Sequence, residues 1–173
     1  KNKFENKECK IIGYPRYERL KSKEEIMNDL KANFNLSENK KKFFWIPTHI
    51  EPGFLTTKDQ KSINIYLWIE KISELCKDFD VIVRPHPKTV KVDNSLIKIL
   101  SKKGFFVDQS DIGKVGNLLK ISDLILGDYG DLLFGAIYMK RPLLLLNFKE
   151  DSKYIREKKK NMHIDLPLRD KIA

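Results

Sequence analysis

The stretch that decides the fold is SDLILGDYGDLLFGAIYMKRPLLLLN, which spans residues 122–147. An apolar run at 124–126 leads into the polar turn GDYG at 127–130, and an apolar helical pattern follows. Arg141 and Pro142 then open a second apolar run at 143–146. This order predicts a strand, a tight turn, a helix and a second, parallel strand. The uninterrupted apolar runs are typical of strands that are covered on both faces.

The turn after the first of these strands is the first place to look for a functional site. In open parallel α/β sheets, ligands bind beyond the carboxyl ends of the strands and beside helix N-termini, whose open N–H groups favour anions. A purely structural interpretation stays open at this stage. In that interpretation Gly130 only relieves a tight turn and Asp131 only caps the helix.

Composition and charge narrow the class of protein. The chain has 173 residues, of which 41% are hydrophobic, enough for the core of about one domain. Its formal net charge of +10 favours anionic partners, namely nucleotides, phosphate polymers, nucleic acid or an acidic membrane face, although scattered lysines also form ordinary solvated surfaces. Cys9 and Cys76 form no spaced motif, so we expect neither a disulfide framework nor a thiolate metal site, and we expect a reducing, cytoplasmic location. No apolar run approaches the ~20 residues of a membrane span.

The rest of the chain alternates between helix and strand patterns. Ser22 and Glu25 form a capping box at the start of a helix that ends near Phe34, and Thr57 and Gln60 form a second box. The predicted strands are 42–47, 80–84, 104–108, 124–126 and 143–146. The predicted helices are 22–34, 57–77, 94–103, 111–121, the pattern that follows the turn at 127–130, and a basic stretch at 151–160. This alternation predicts a doubly wound parallel α/β domain of the Rossmann-like class.

Polar residues and turn residues gather where three predicted strands end. They are Pro47, Thr48 and His49; Arg84 and His86; and Gly127, Asp128, Tyr129, Gly130, Asp131 and Leu132. Because the carboxyl ends of parallel strands lie along one rim, we expect these residues to converge. Arginine binds phosphate oxygens in bidentate fashion, a helix N-terminus stabilises anions, and histidine donates to phosphate or acts as an acid or base near neutral pH. Such a set is typical of a pyrophosphate site.

Each candidate also has a structural interpretation. His86, which lies between two prolines that stop the strand and fix a rigid turn, can serve turn packing, and Arg84 can pair with a surface carboxylate. The lysine patches at 40–42 and 158–160 and His163 are typical of solvated positions, while Trp45 and Trp68 belong to core patterns. No His, Cys and carboxylate cluster has metal-ligand spacing, and neither a GxGxxG nor a GxxxxGK[ST] motif occurs. We therefore expect no metal and no tightly bound cofactor.

Five segments in order resemble the CDP-glycerol glycerophosphotransferase family, which includes the teichoic acid primases and polymerases. GYPRYE at 13–18 resembles the family's G-x-P-R-x-D, WIPT at 45–48 resembles its strand ending in a-P-T, and RPHP at 84–87 resembles its R-x-H. ISDLILGDY at 121–129 resembles S-D-x-L-I-x-D-Y-S-S, and Arg141-Pro142 resembles the R/K-P that opens the last strand. The likeness covers about residues 12–154.

The resemblance implies the C-terminal, nucleotide-binding half of a GT-B glycosyltransferase-like fold. We expect a lead-in segment at 1–21, a donor-binding domain at 22–160 and a tail at 161–173, with an N-terminal acceptor half outside this sequence. The chain opens in a polar stretch, without Met and without a signal peptide, as expected for part of a longer protein. Family members transfer glycerol phosphate or ribitol phosphate from a CDP-alcohol to a growing polymer or lipid-linked primer and release CMP. His86 matches the family's C-terminal functional histidine, and Asp128 with the turn after it matches the loop that cradles the nucleotide.

The sequence departs from the family pattern in three places. Gly130 and Asp131 replace two serines, Gly135 stands where an acidic residue is usual, and His49 stands where an arginine is common. A carboxylate at Asp131 would repel phosphate unless it points away to cap the helix.

The expected function is donor binding in a transferase that moves a polyol phosphate from a CDP-alcohol. Arg84 and His86 are the catalytic candidates, since together with the helix start at 130–132 they would stabilise the leaving CMP and the developing charge. Thr48 and Asp128 would position the donor. Expected partners are the donor, a polymer or lipid-linked acceptor and an anionic membrane face, but no nucleic acid, because aromatic and basic residues do not interleave.

Two alternatives stay open. The first is a GT-B domain that uses a UDP- or CMP-sugar to build capsule or surface polysaccharide. The second is a non-catalytic basic module that binds polyanions with an affinity that falls steeply with salt and ignores the nucleotide base.

Overall fold

The structure is a computed structural model that describes residues 10, 15–17, 20–48, 63–110, 114–128 and 130–146. Several features of the sequence analysis lie outside the described residues. They are Cys9, His49, Tyr129, the capping box of Thr57 and Gln60, the basic stretch at 151–160 and the tail at 161–173 with His163. None of the described helices is long and apolar enough to cross a membrane.

Five parallel strands form one sheet within the part of the chain that the structure describes. They are β1 (Lys42–Ile46), β2 (Asp80–Val83), β3 (Phe106–Val107), β4 (Leu124–Gly127) and β5 (Leu143–Leu145). Their spatial order is β3-β2-β1-β4-β5, so the chain winds outward from β1 first in one direction and then in the other. This topology confirms the predicted doubly wound parallel sheet.

Helices connect the strands. They are α1 (Lys23–Asn33), α2 (Ile63–Ser73), α3 (Pro87–Val92), α4 (Leu96–Lys102), α5 (Val115–Ile121) and α6 (Leu132–Tyr138), with short 3-10 turns at Pro15–Tyr17 and Glu74–Lys77. The predicted capping box begins α1, because the backbone N–H of Glu25 donates to Ser22 Oγ at 3.1 Å and that of Ser22 donates to Glu25 Oε2 at 2.8 Å. α4 is shorter than predicted and begins C-terminal to the predicted position, and the described part of α5 begins at Val115.

The two faces of the sheet are covered by separate apolar clusters, as successive side chains of a strand point to opposite faces. On β1, Phe44 and Ile46 pack with α1, α5 and α6, whereas Phe43 and Trp45 pack with α2 and α4. The predicted burial of Trp45 is therefore confirmed. The prediction of two covered faces is wrong for β5, where Leu144 is 51% exposed, because β5 lies at the edge of the sheet.

The sequence analysis missed the helix α3. We predicted a rigid turn at residues 85–87, whereas Pro87 occupies the first position of α3 and His86 is its N-cap. Proline suits the first helical position because its backbone angle φ is already helical and its missing N–H would have no partner inside the helix. The second proline of the motif therefore starts a helix instead of only stopping the strand.

The burial of Lys42 also differs from the prediction. We predicted it within a solvated patch, but it is 7% exposed at the amino end of β1. Its Nζ lies 3.6 Å from Asp80 Oδ2 and donates to the carbonyls of Ser37 and Lys40. Asp80 also accepts from the backbone N–H of Ser37 at 2.8 Å. This buried pair ties the loop before β1 to the start of β2, so Lys42 belongs to the framework of the sheet.

Candidate functional site

The carboxyl ends of β1 and β4 form the topological switch point of the sheet, because β2 and β4 flank β1 on opposite sides. Ile46, the last residue of β1, pairs with Gly127, the last residue of β4. Each strand therefore delivers the residues that follow it to the same place on the rim. Those residues are Pro47 and Thr48 after β1, and the turn that begins at Asp128 after β4.

Asp128 joins the two strand ends. It is 2% exposed, and its Oδ1 accepts a hydrogen bond from the backbone N–H of Thr48 at 2.9 Å. A buried carboxylate that is held by a backbone N–H is a fixed part of the site, because leaving either group unpaired would cost its full desolvation. Asp128 therefore sets the position of Thr48 relative to the turn.

Gly130 lies opposite Thr48 across this junction. Its φ is +108°, a conformation that residues with a side chain rarely adopt, and a Cβ built there would lie 3.7 Å from Thr48 Oγ1. The turn thus places bare backbone beside the Thr48 hydroxyl. This conformation favours glycine at position 130.

Asp131 does not cap α6. It stands at the N-cap position, but its side chain makes no cap hydrogen bond within the described part of the chain. The reason is its backbone, which is already helical at φ −68° and ψ −26°, whereas capping residues have an extended backbone. The structural interpretation of Asp131 as a helix cap is therefore wrong.

Gly127 and Leu132 have packing roles around the same turn. A Cβ on Gly127 would come within 2.3 Å of Leu133 Cδ2, so the absence of a side chain lets the first turn of α6 lie against β4. Leu132 is half-buried and packs on the cluster that holds α5 and α6.

His86 is held on the rim at the neighbouring strand end. Its Nδ1 accepts a hydrogen bond from the backbone N–H of Lys88 at 3.1 Å, which makes the imidazole the N-cap of α3. Nδ1 must be unprotonated to accept, so the neutral ring carries its proton on Nε2. The fold thus fixes both the orientation and the tautomer of an exposed histidine.

Arg84 lies at the end of β2 but is turned toward β3. It is 8% exposed, its Nη1 donates to the carboxylate of Asp108 and to Ser110 Oγ at 3.2 Å, and its Nη2 donates to the Ser110 carbonyl at 2.6 Å. The side chain therefore clamps the loop after β3 to the end of β2. Its bidentate contact with phosphate stays a prediction.

Asp108 and Ser110 were missed as partners in the sequence analysis. Asp108 ends the predicted strand at 104–108, so the rule that singled out the other strand ends could have found it. These two residues also border a cleft of about 600 Å³ between α1 and the loop after β3, with Phe34 and Val107 among its other lining residues. This cleft lies at the edge of the sheet, away from the β1–β4 switch point.

The structure therefore joins Thr48, Asp128 and Gly130 at one point and holds His86 at the adjacent strand end. The carboxyl end of β2 is hydrogen-bonded to that of β1 beside this point, since the backbone N–H of Arg84 donates to the Trp45 carbonyl at 3.0 Å. Among the described residues, no group of three or more His, Cys, Asp or Glu side chains is placed to hold a metal ion.

Known proteins resemble this chain along nearly its whole length. The family model for CDP-Glycerol:Poly(glycerophosphate) glycerophosphotransferase matches residues 1–168. A teichoic acid poly(glycerol phosphate) polymerase of Bacillus spizizenii is 28% identical over 156 residues, which are 88% of this chain and 38% of that protein. A teichoic acid ribitol-phosphate polymerase, TarL of Staphylococcus aureus, is 31% identical over 81 residues, 46% of this chain and 14% of that protein.

A solved structure shows the same fold. A variant of the wall teichoic acid polymerase TagF superposes with a TM-score of 0.64 at 22% identity, and the match covers 92% of this chain and 38% of that chain. This likeness confirms the predicted Rossmann-like domain of GT-B type. The chain spans only 38% of the length of the Bacillus spizizenii polymerase.

Proposed function

Because this chain belongs to the CDP-glycerol:poly(glycerophosphate) glycerophosphotransferase family, we propose that it is the donor-binding part of a transferase. The enzyme moves a polyol phosphate from a CDP-alcohol to a polymer or lipid-linked acceptor of the cell envelope. The observation that carries the proposal is the junction of Thr48, Asp128 and Gly130 at the switch point of the sheet, with His86 beside it. Ligands of doubly wound sheets bind at such a point.

In the proposed complex the donor pyrophosphate lies over the turn from Asp128 to Leu132. The bare backbone at Gly130 allows close approach, and the Thr48 hydroxyl, 3.7 Å from a Cβ built on Gly130, faces the same space. Asp128 contributes by holding Thr48, since its Oδ1 is engaged by the Thr48 N–H. Pro47, His49, Gly127 and Tyr129 complete the proposed binding segment. Asp131 belongs to the same turn, but its carboxylate does not cap α6 and therefore opposes phosphate binding there.

The proposed reaction is in-line attack of an acceptor hydroxyl on the β-phosphate of the donor. The new P–O bond forms as the P–O bond to CMP breaks, CMP leaves with the additional negative charge, and the proton of the acceptor hydroxyl passes to solvent water. Catalysis of such a step is mostly positioning and charge stabilisation. His86 provides both, because its Nδ1 is anchored to the Lys88 N–H and its protonated Nε2 donates to the leaving phosphate.

Arg84 has a supporting role in this proposal. Its Nη1 and one N–H of Nη2 hold Asp108 and Ser110, which, within the described part of the chain, leaves Nε and the second N–H of Nη2 for an oxygen of the donor. The buried carboxylate of Asp108 offsets much of its charge. We therefore assign the larger catalytic effect to His86.

The test is calorimetric titration of the chain with CDP-glycerol, CDP-ribitol, CMP and UDP at two salt concentrations. We expect cytidine-selective binding that Thr48→Val weakens by about tenfold, as expected for the loss of one hydrogen bond to a charged group. The control is Lys98→Gln, which removes an exposed positive charge on α4 and should leave the affinity unchanged.

Each other result contradicts the proposal in a different way. Selectivity for UDP would move the chain to the sugar-transferring alternative. Binding that ignores the base, is lost at high salt and responds equally to Thr48→Val and Lys98→Gln would leave a basic surface without a nucleotide site.

A further inference from the structure

Tyr17 is buried although it precedes the first helix of the domain. It belongs to the short turn Pro15–Tyr17 and is 6% exposed. Its ring lies between α5 and α6, where it packs with the apolar cluster on that face of the sheet. A segment outside the sheet and its connecting helices therefore supplies part of the core.

Two glycines make room for this ring. A Cβ built on Gly116 of α5 would come within 2.8 Å of Tyr17 Cδ1, and one built on Gly135 of α6 would come within 2.3 Å of its Oη and 2.7 Å of its Cζ. Real Cβ atoms do not approach other atoms so closely. Glycine inside a helix is unfavourable in itself, and both helices carry it where the ring lies. The two glycines and the tyrosine thus form one packing unit, which we call the Tyr17 wedge.

The Tyr17 wedge contacts α6, the helix that follows the turn where we propose that the donor binds. Gly135 is the fourth residue of α6, and the turn from Asp128 to Asp131 leads directly into that helix. The ring of Tyr138, at the end of α6, lies 6.1 Å from the Tyr17 ring, so the contact extends along the helix. Ile137 and Tyr138 at the end of α6 are themselves exposed.

We propose that Tyr17 is a positioning residue for the donor site. By filling the gap between Gly116 and Gly135 it sets where α6 lies, and thereby where the turn from Asp128 to Leu132 presents its backbone. Displacement of the segment that carries Tyr17 then changes the affinity for donor. This last step rests on the proposed function, whereas the seating of α6 does not.

The packing is tested by introducing one methyl group in two backgrounds. Gly135→Ala should lower the unfolding temperature of the wild-type chain, because the methyl group meets the Tyr17 ring. In Tyr17→Ala the same substitution should raise it, because the space is open and alanine favours helix. A change of the same sign and size in both backgrounds would overturn the wedge.

Positioning is separated from simple stability by hydrogen exchange. The control is Leu30→Ala, a core substitution on α1 in the same apolar cluster. The two variants are compared at a temperature at which the free energy of unfolding of each is lower than that of the wild type by the same amount. Tyr17→Leu should speed amide exchange at residues 130–138 by about tenfold relative to Leu30→Ala, since local opening reports local contacts. Equal exchange in the two variants would refute positioning, and this readout needs no donor.

Donor affinity completes the test. We expect Tyr17→Leu to raise the Kd for CDP-glycerol by about tenfold, while Leu30→Ala leaves the Kd of the folded chain unchanged, because a binding loop that is not pre-organised binds more weakly. An unchanged Kd in Tyr17→Leu would refute the link to the donor site. If the wild-type chain binds no donor, the proposed function fails, and the exchange data alone decide the seating of α6.

Discussion

Replacing His86 by two different residues separates its structural role from its chemical one. His86→Ala removes the imidazole and the N-cap of α3, whereas His86→Asn removes the imidazole but supplies a side-chain oxygen that can accept the Lys88 N–H, now at 3.1 Å from Nδ1. Loss of an N-cap costs about 1 kcal/mol. For a chain of 173 residues this lowers the unfolding temperature by about 2–4 °C in His86→Ala, and His86→Asn should lie close to wild type.

The catalytic effect should be the same in both variants. Each lacks the Nε2–H that we propose to donate to the leaving phosphate, a contribution of about 10²–10⁴ in rate for a positioned acid or hydrogen-bond donor. The assay is single-turnover release of CMP from CDP-glycerol by the full-length protein in the presence of acceptor, with thermal unfolding measured in parallel. Lys98→Gln on α4 serves as the control for nonspecific loss of charge and side-chain volume.

Two results would refute this reasoning. If His86→Asn turns over within about threefold of wild type, the imidazole has no part in the transition state. If His86→Asn is as unstable as His86→Ala, the Nδ1 bond to Lys88 does not cap α3, and the tautomer assigned to His86 has no support.

The remaining predictions concern stability. Lys42→Met should cost about 3–5 kcal/mol in urea unfolding, because it leaves the buried Asp80 carboxylate without its cation, and adding Asp80→Asn should recover most of that loss. The hydrogen bond from the Ser22 backbone and the Ser22 side chain hold the pKa of Glu25 below its usual range. Its contribution is thus present above the usual glutamate value of about 4.3 and is lost as pH falls through the lower folded-state pKa, so the free-energy advantage of wild type over Glu25→Gln should shrink with acidification.

Two observations would contradict these predictions. A double variant of Lys42 and Asp80 that is as unstable as Lys42→Met would mean that the two side chains do not act as a pair. A difference between wild type and Glu25→Gln that stays constant from neutral pH to pH ~2 would mean that Glu25 has the same pKa in the folded and unfolded chain.

Local sequence patterns predicted most of the architecture. Apolar runs such as KFFWI predict buried parallel strands because both faces of such strands lie against helices, and β1 is buried at every residue. The capping box of Ser22 and Glu25 formed as predicted because its bonds span three residues and need no other part of the fold. The helix that begins at Pro87 was not predicted, because a proline can either end a strand or begin a helix. The local sequence did not decide between the two, since α3 buries Thr89 and that burial depends on tertiary packing.

The sequence by itself determined which residues reach the rim. Strand ends are local features, and parallel strands align their ends, so Thr48, His86 and Asp128 could be placed together without coordinates. Tertiary structure alone decided which side chains are in contact. Arg84 turns to Asp108, 24 residues away, and Tyr17 fits between Gly116 and Gly135, because such contacts depend on strand register and on helix placement to within about an ångström. No local pattern carries that information, since it arises when the sheet and its helices pack.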